Sequence, residues 1–170
     1  FVALGDLDDL ATVLVLASRL DVPALVLGGG SNLLVSDRGV RGLVIANGCR
    51  SVQRHAGNMV WAESGANLAG LARQAMRWGL SGLEWAVSVP GTVGGAVVGN
   101  AGAHGGSVAD NLIRATLLMP DGSIAEWPAA RFRFAYRSSA LKTLARAGQP
   151  QPIVLSAAFQ ICSKLMIFLA

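Results

Sequence analysis

Apolar and polar positions recur along this chain with two periods, one helical and one extended. Residues 7–20 carry Leu, Ala and Val on one face and Asp8, Asp9 and Arg19 elsewhere, the pattern of a buried amphipathic helix. Asp6 is placed to cap its N-terminus, and Asp8 and Asp9 complement the dipole in the first turn. Short apolar runs at 24–27 and 43–45 read as strands, with a strand-like apolar run at 33–35 and a polar turn over 36–39 between them. This order predicts a small α/β lobe over residues 1–47.

A second lobe, of α+β type, is predicted over residues 48–160. Residues 52–54 and 59–63 pattern as a hairpin around Gly57-Asn58. Asn67 caps a helix whose apolar positions Leu68, Leu71, Ala72, Ala75 and Met76 follow the i, i+3, i+4 rule, and Gly79 closes it. Strands follow at 112–119 and 123–127 around the turn Pro120-Asp121-Gly122. Pro128 opens a short helix, residues 145–152 form a Pro/Gly-rich loop, and residues 153–159 make a last strand. Residues 161–170 form a tail of a different character.

Composition narrows the class. The 170 residues are 52% apolar and 14% charged, which excludes intrinsic disorder. A mean hydropathy of +0.49 raises the question of a membrane span. The best candidate, residues 153–170, is interrupted by Ser156, Gln160, Ser163 and Lys164 and falls short of about 20 unbroken apolar residues. Asp6, Asp8 and Asp9 stand where a signal peptide needs a basic region. A membrane partner is therefore not expected. The net charge is +4, and 12 of the 14 basic residues are Arg scattered in ones and twos. That footprint argues against nucleic acid and suits a small anion. Cys49 and Cys162 form no Cys-x-x-Cys pair and read as reduced thiols of a cytoplasmic protein, without a metal site.

Glycine changes the picture. Nine of the 21 glycines fall in the 28 residues from Gly79 to Gly106. Ordering such a stretch costs much backbone entropy, so a bound ligand is the natural source of the balancing free energy. Gly28-Gly29-Gly30-Ser31-Asn32 directly follows a predicted strand and can bring several backbone N–H groups close to an anion. It is not the dinucleotide fingerprint, because Leu33 occupies the third glycine's place and a strand-like run follows. It is not a P-loop either, since no Gly-Lys-Ser/Thr occurs. A second loop, Ser88 to Ala96, has Pro90 stiffening its entry and Gly91, Gly94 and Gly95 leaving the backbone open. Asn100-Ala101-Gly102-Ala103-His104-Gly105-Gly106 continues it. A tight turn or close packing on small residues explains either loop alone. Two such loops in one small domain favour an anionic ligand.

Leu27 to Leu34, Gly82-Leu83-Glu84, Val89 to Ala96, Asn100 to Gly106 and Tyr136-Arg137-Ser138-Ser139 occur in this order. Together they resemble the UDP-N-acetylenolpyruvoylglucosamine reductase family, flavin enzymes of peptidoglycan precursor synthesis, over roughly residues 1–160. The resemblance implies an α+β, two-lobed FAD-binding domain of the vanillyl-alcohol-oxidase type, with FAD between the lobes. It puts the cofactor's diphosphate on Gly28, Gly29, Gly30, Ser31 and Asn32, beside Leu33, and on Pro90, Gly91, Thr92, Gly94 and Gly95. Asn100 and Gly102 would lie near the flavin ring, Tyr136 and Asn100 would contact substrate, and Arg137 would be catalytic. NADPH is the implied co-substrate, and the substrate is UDP-N-acetylglucosamine enolpyruvate.

The implied chemistry explains the arginine. Hydride addition to a double bond conjugated with a carboxylate pushes electron density onto that carboxylate. A permanently charged guanidinium can meet it bidentately. His104 stands where the family usually has Tyr, so ring contact or packing is expected of it rather than acid catalysis. Glu84 is expected to tie down its loop, and Ser138 and Ser139 to be structural.

The family pattern also includes a segment before the first strand and a further substrate domain of about 100 residues. That domain carries a proton-donating Ser and a Glu that acts with the Arg. Neither motif stands in this sequence. The expectation is a flavin-binding portion with little turnover, and self-association through an apolar surface and tail that the missing domain would cover. Other readings are a sugar or lactone oxidase of the same fold, a non-catalytic flavin-binding module, and a plain α/β protein with glycine-rich turns.

Overall fold

The computed structural model describes residues 1–163. Its first layer is a three-stranded parallel sheet in the order β1–β3–β2, from Val2–Leu4 (β1), Ala24–Leu27 (β2) and Leu43–Asn47 (β3). Helix α1, Leu7–Arg19, makes the crossover that parallel pairing of β1 and β2 against β3 requires. Asp6 caps it as expected, its Oδ1 accepting from the amides of Asp8 at 2.8 Å and Asp9 at 3.2 Å. Leu10, Leu14 and Ala17 form its buried stripe.

The strand-like run over residues 33–35 forms no strand. That stretch is irregular, and Leu34 is 98% exposed. Three apolar residues make a strand only where a sheet edge pairs with them, and residues 33–35 pair with neither edge of the β1–β3–β2 sheet.

The second layer is a five-stranded antiparallel sheet in the order β10–β9–β11–β5–β4. Its strands are Val52–His55 (β4), Met59–Glu63 (β5), Leu112–Leu118 (β9), Ile124–Pro128 (β10) and Ile153–Gln160 (β11). The expected hairpin at Gly57-Asn58 is present, both residues having positive φ. Helix α2, Leu68–Arg77, starts on Asn67, whose Oδ1 accepts from Gly70 N at 2.7 Å. Four of its five expected apolar positions are buried, whereas Met76 is 52% exposed. Strand β6, Leu80–Ser81, follows the helix and pairs with the last described strand, Cys162–Ser163 (β12). Pro128 leads into a short 3₁₀ turn, Ala129–Phe132, as expected.

Three of the described α-helices were not visible in the pattern. Helix α3, Val93–Gly99, lies inside the second glycine loop. With three glycines in seven residues its propensity is poor, and packing forms it: Val93, Ala96 and Val97 are buried in the main core with Trp85, Phe132 and Phe159. Helix α5, Ala140–Arg146, is capped by Ser139 and shortens the predicted loop to residues 147–152. Between α3 and β9 lie a small hairpin, Gly102–Ala103 (β7) with Gly106–Ser107 (β8), and one helical turn, Val108–Asn111 (α4).

The two sheets share a seam. Leu10, Leu14 and Ile45 of the first pack with Leu118 and Leu155 of the second. Beside them runs a buried polar network. Asn47 Nδ2 donates to Ser64 Oγ at 2.8 Å, and Asn47 Oδ1 accepts from Cys49 N at 3.0 Å. Gly65 closes on this network because a Cβ there would stand 2.6 Å from both Asn47 Oδ1 and Cys49 O. Such satisfied buried groups fix one arrangement of the two halves.

No helix among the described residues is long and apolar enough to cross a membrane. The apolar tail from residue 164 onward lies outside them, and with it the surface through which self-association was expected.

Candidate flavin site

The first glycine turn leaves the C-terminal end of β2, and the second leaves the stretch that joins α2 to α3. The fold brings them into contact. A Cβ on Gly28 would overlap the Thr92 side chain, and one on Gly29 would lie 3.4 Å from Gly91 Cα. On Gly91 it would meet Ser31 Oγ at 2.9 Å, and Gly91 has φ +115, a conformation L residues rarely adopt. The glycines at Gly28 and Gly91 thus answer a close approach of two backbones.

The second turn is anchored from below. Leu68 N donates to Gly91 O at 3.0 Å, Val93 N to Ala66 O at 2.9 Å and Gly94 N to Ser64 O at 2.8 Å. The first turn is solvent-exposed from Gly28 to Asn32. Among the described residues, no carbonyl accepts from the amides of Gly29, Gly30, Ser31, Asn32, Gly91 or Thr92. N–H groups without a carbonyl partner on two apposed turns, the first exposed and the second half-buried, with no carboxylate in either, form a donor set suited to an oxyanion. Those donors fit a diphosphate and supply nothing that would ligate a metal. Among the described residues no cluster of His, Cys, Asp or Glu could hold a metal ion.

The predicted residues divide into three groups. Gly28, Gly29, Ser31, Gly91 and Thr92 meet at the apposed turns; Gly30 (φ +70), Asn32, Leu33 and Pro90 flank them and are exposed. Gly94 and Gly95 belong to the first turn of α3. Gly94 is buried there, its amide spent on Ser64 O and its missing Cβ making room for Ser64. Gly102 sits in the β7–β8 hairpin, where a Cβ would come within 2.6 Å of Gly106 O. Tyr136, Arg137 and Asn100 form a third group at the far end of α3.

Tyr136 and Arg137 are the tip of a two-residue turn closed by paired amides, Ala135 N to Ser138 O at 3.1 Å and Ser138 N to Ala135 O at 3.0 Å. Both side chains are exposed, and Arg137 has φ +51, which costs a non-glycine residue about 1–2 kcal/mol. Asn100 is buried, ends α3 in the left-handed region and spends its carboxamide inside the chain. Its Nδ2 donates to Ala135 O at 2.9 Å, and its Oδ1 accepts from Ala109 N at 3.0 Å.

The remaining candidates are structural. Glu84 accepts from Ser81 Oγ at 2.6 Å and Gly82 N at 2.7 Å, tying its loop as expected. Ser139 Oγ donates to Val98 O at 2.6 Å and accepts from Lys142 N. His104 and Gly105 both have positive φ, the signature of the tight β7–β8 turn, with His104 Nε2 3.4 Å from Ser88 Oγ.

Sequence reasoning missed Lys142, whose Nζ donates to Arg137 O at 2.9 Å. The Ser139 cap followed by Leu141 and Leu144 at i, i+3 was the available signal. The anchors Asn47 and Ser64 gave no such signal, because their partners are distant in sequence.

Known proteins repeat this architecture. A solved structure of the UDP-N-acetylenolpyruvylglucosamine reductase of Thermus caldophilus superposes with a TM-score of 0.76 at 32% identity, over 96% of this chain and 55% of that one. The 6-hydroxy-D-nicotine oxidase of Arthrobacter nicotinovorans shares the fold at a TM-score of 0.66 and 18% identity, over 95% of this chain and 36% of that one. In sequence, the UDP-N-acetylenolpyruvoylglucosamine reductase of Chloroflexus aurantiacus is 43% identical over 148 residues, 85% of this chain and 50% of that protein. The chain spans about half the length of the curated relatives it matches. A family model described as an FAD binding domain matches residues 1–127, which take in both glycine turns and the helix between Thr92 and Asn100. The donor set and the match agree, and the chain belongs to the FAD-binding domain family.

Proposed function

We propose that this chain is the FAD-holding part of an NADPH-dependent reductase acting on UDP-N-acetylglucosamine enolpyruvate, in cytoplasmic synthesis of peptidoglycan precursors. Similarity to reductases of that name at 40–43% identity motivates the substrate. The observation that carries the cofactor part is the apposition of Gly28 and Gly29 with Gly91 and Thr92.

On this reading the amides of Gly29 to Asn32, with those of Gly91 and Thr92, hold the diphosphate. Bound FAD supplies the hydride chemistry between NADPH and the enolpyruvyl double bond. Arg137 meets the substrate carboxylate, where charge builds as hydride adds, and its guanidinium needs no proton transfer to do so. Tyr136 lies beside it at the same tip. The stretch of chain that carries it suits an anion: residues 127–163 include Arg131, Arg133, Arg137, Lys142 and Arg146 and no carboxylate. We assign residues 1–47 and 48–160 to the two lobes that flank the cofactor. The proton donor is assigned to no residue of this chain.

The test is NADPH oxidation by the FAD-loaded protein that carries this chain. Turnover that depends on the enolpyruvyl UDP-sugar, and falls by about 10²–10³-fold in Arg137→Ala, supports the reading. Flavin reduction by a free sugar or lactone, indifferent to Arg137, would instead mark an oxidase of the same fold.

A further inference from the structure

The tip that carries Arg137 has little to hold it from outside. Tyr136 is 92% exposed, and Arg137 keeps a left-handed backbone without being glycine. The restraint comes from behind, and most of it comes from one helix. Asn100 Nδ2 binds Ala135 O, a carbonyl inside the turn, and Ser139 Oγ binds Val98 O. Both Asn100 and Val98 belong to the C-terminal end of α3. The other end of α3 follows Gly91 and Thr92 directly and is fixed to Ala66 and Ser64 by backbone bonds. One short buried helix thus joins the two glycine turns to the arginine tip.

We propose that Asn100 is a positioning residue, setting the Arg137 turn in register with α3 and so with the flavin cradle. This rests on the reductase reading and deepens it. It replaces direct contact with substrate or flavin as the role of Asn100, because both ends of its carboxamide have partners within the chain. Its left-handed backbone, φ +46, is what aims the side chain across the helix end at both.

Two variants separate the effects. Asn100→Gly keeps the left-handed backbone, which glycine adopts freely, and removes both side-chain bonds. Asn100→Asp keeps the acceptor for Ala109 N and places a carboxylate against Ala135 O. With the cradle untouched, FAD affinity should change less than about threefold in both. Hydrogen exchange at the Ser138 amide should speed up by about tenfold or more, the size expected for loss of a hydrogen bond. In the protein that carries this chain, kcat with NADPH and the enolpyruvyl UDP-sugar should fall by about tenfold or more, with KM for NADPH unchanged. Asn100→Gly added to Arg137→Ala should cost almost nothing further.

Unchanged Ser138 exchange, or additive losses in the double variant, would overturn the proposal. So would FAD affinity that falls in step with kcat. Should the wild type show no NADPH turnover, the reductase reading falls, and the exchange arm still decides whether Asn100 holds the turn.

Discussion

Single residues carry the sharpest chemistry in this chain. Burial pushes the Cys49 thiol from its ordinary 9.0 up to about 11, with Glu63 and Asp6 adding to the effect. The folded state therefore holds this proton more tightly than the unfolded chain does. The resulting stability is complete below pH 9 and is lost as pH rises from 9 toward 11. At about pH 8 a thiol-specific disulfide reagent should label the exposed Cys162 of the native chain at once, and Cys49 only after denaturant is added. Two fast thiols in the native chain would show that Cys49 is not buried. Gly91→Ala should weaken FAD binding by about tenfold or more, because it combines an unfavourable φ with a clash on Ser31. Gly5→Ala, where a Cβ meets nothing within 4 Å, should leave it unchanged. Flavin fluorescence titration reads both. At this scale the sequence was readable wherever partners lie a few residues apart. Asp6, Asn67 and Glu84 bond to amides two or three positions away, and their roles follow from residue type and spacing. Asn47 and Ser64 are 17 positions apart, and Asn100 and Ala135 are 35 apart. Only the folded chain brings such pairs together.

Among the elements, local signal and tertiary packing agree except around the site. Helix α1 is legible because its cap, its dipole-matched acids and its stripe of Leu10, Leu14 and Ala17 all agree. Asp6→Ala should cost about 1 kcal/mol through the lost cap. Leu10→Ala, which hollows the seam between the sheets, should cost about 2–5 kcal/mol. Denaturant melts check both, and equal losses would mean that Leu10 does not bridge the two layers. The stretch at residues 33–35 has strand-like composition and joins no sheet. Helix α3 has the opposite history: glycine-rich and unpromising locally, it forms because Gly94 allows it to settle on Ser64. The same absence of Cβ atoms that suits Gly28 and Gly91 to a ligand made that helix look like loop. Pattern and structure part company where glycine serves close backbone approach rather than a turn.

At the scale of the molecule, the two sheets set the apposed glycine turns against each other, and α3 carries their position to the Arg137 tip. The parallel sheet delivers Gly28 to Asn32 from the end of β2, and the antiparallel sheet with its helices delivers Gly91 and Thr92. Asn47, Ser64 and Gly65 lock the seam that aligns them. The whole account rests on the amides of these two turns holding a diphosphate. The direct measurement is titration of the folded chain with FAD, followed by removal of unbound cofactor and an absorbance spectrum of the protein. Stoichiometric yellow flavin retained on the wild type, and lost from Gly91→Ala, is the predicted result. A chain that is folded by circular dichroism yet stays colourless after excess FAD would contradict it.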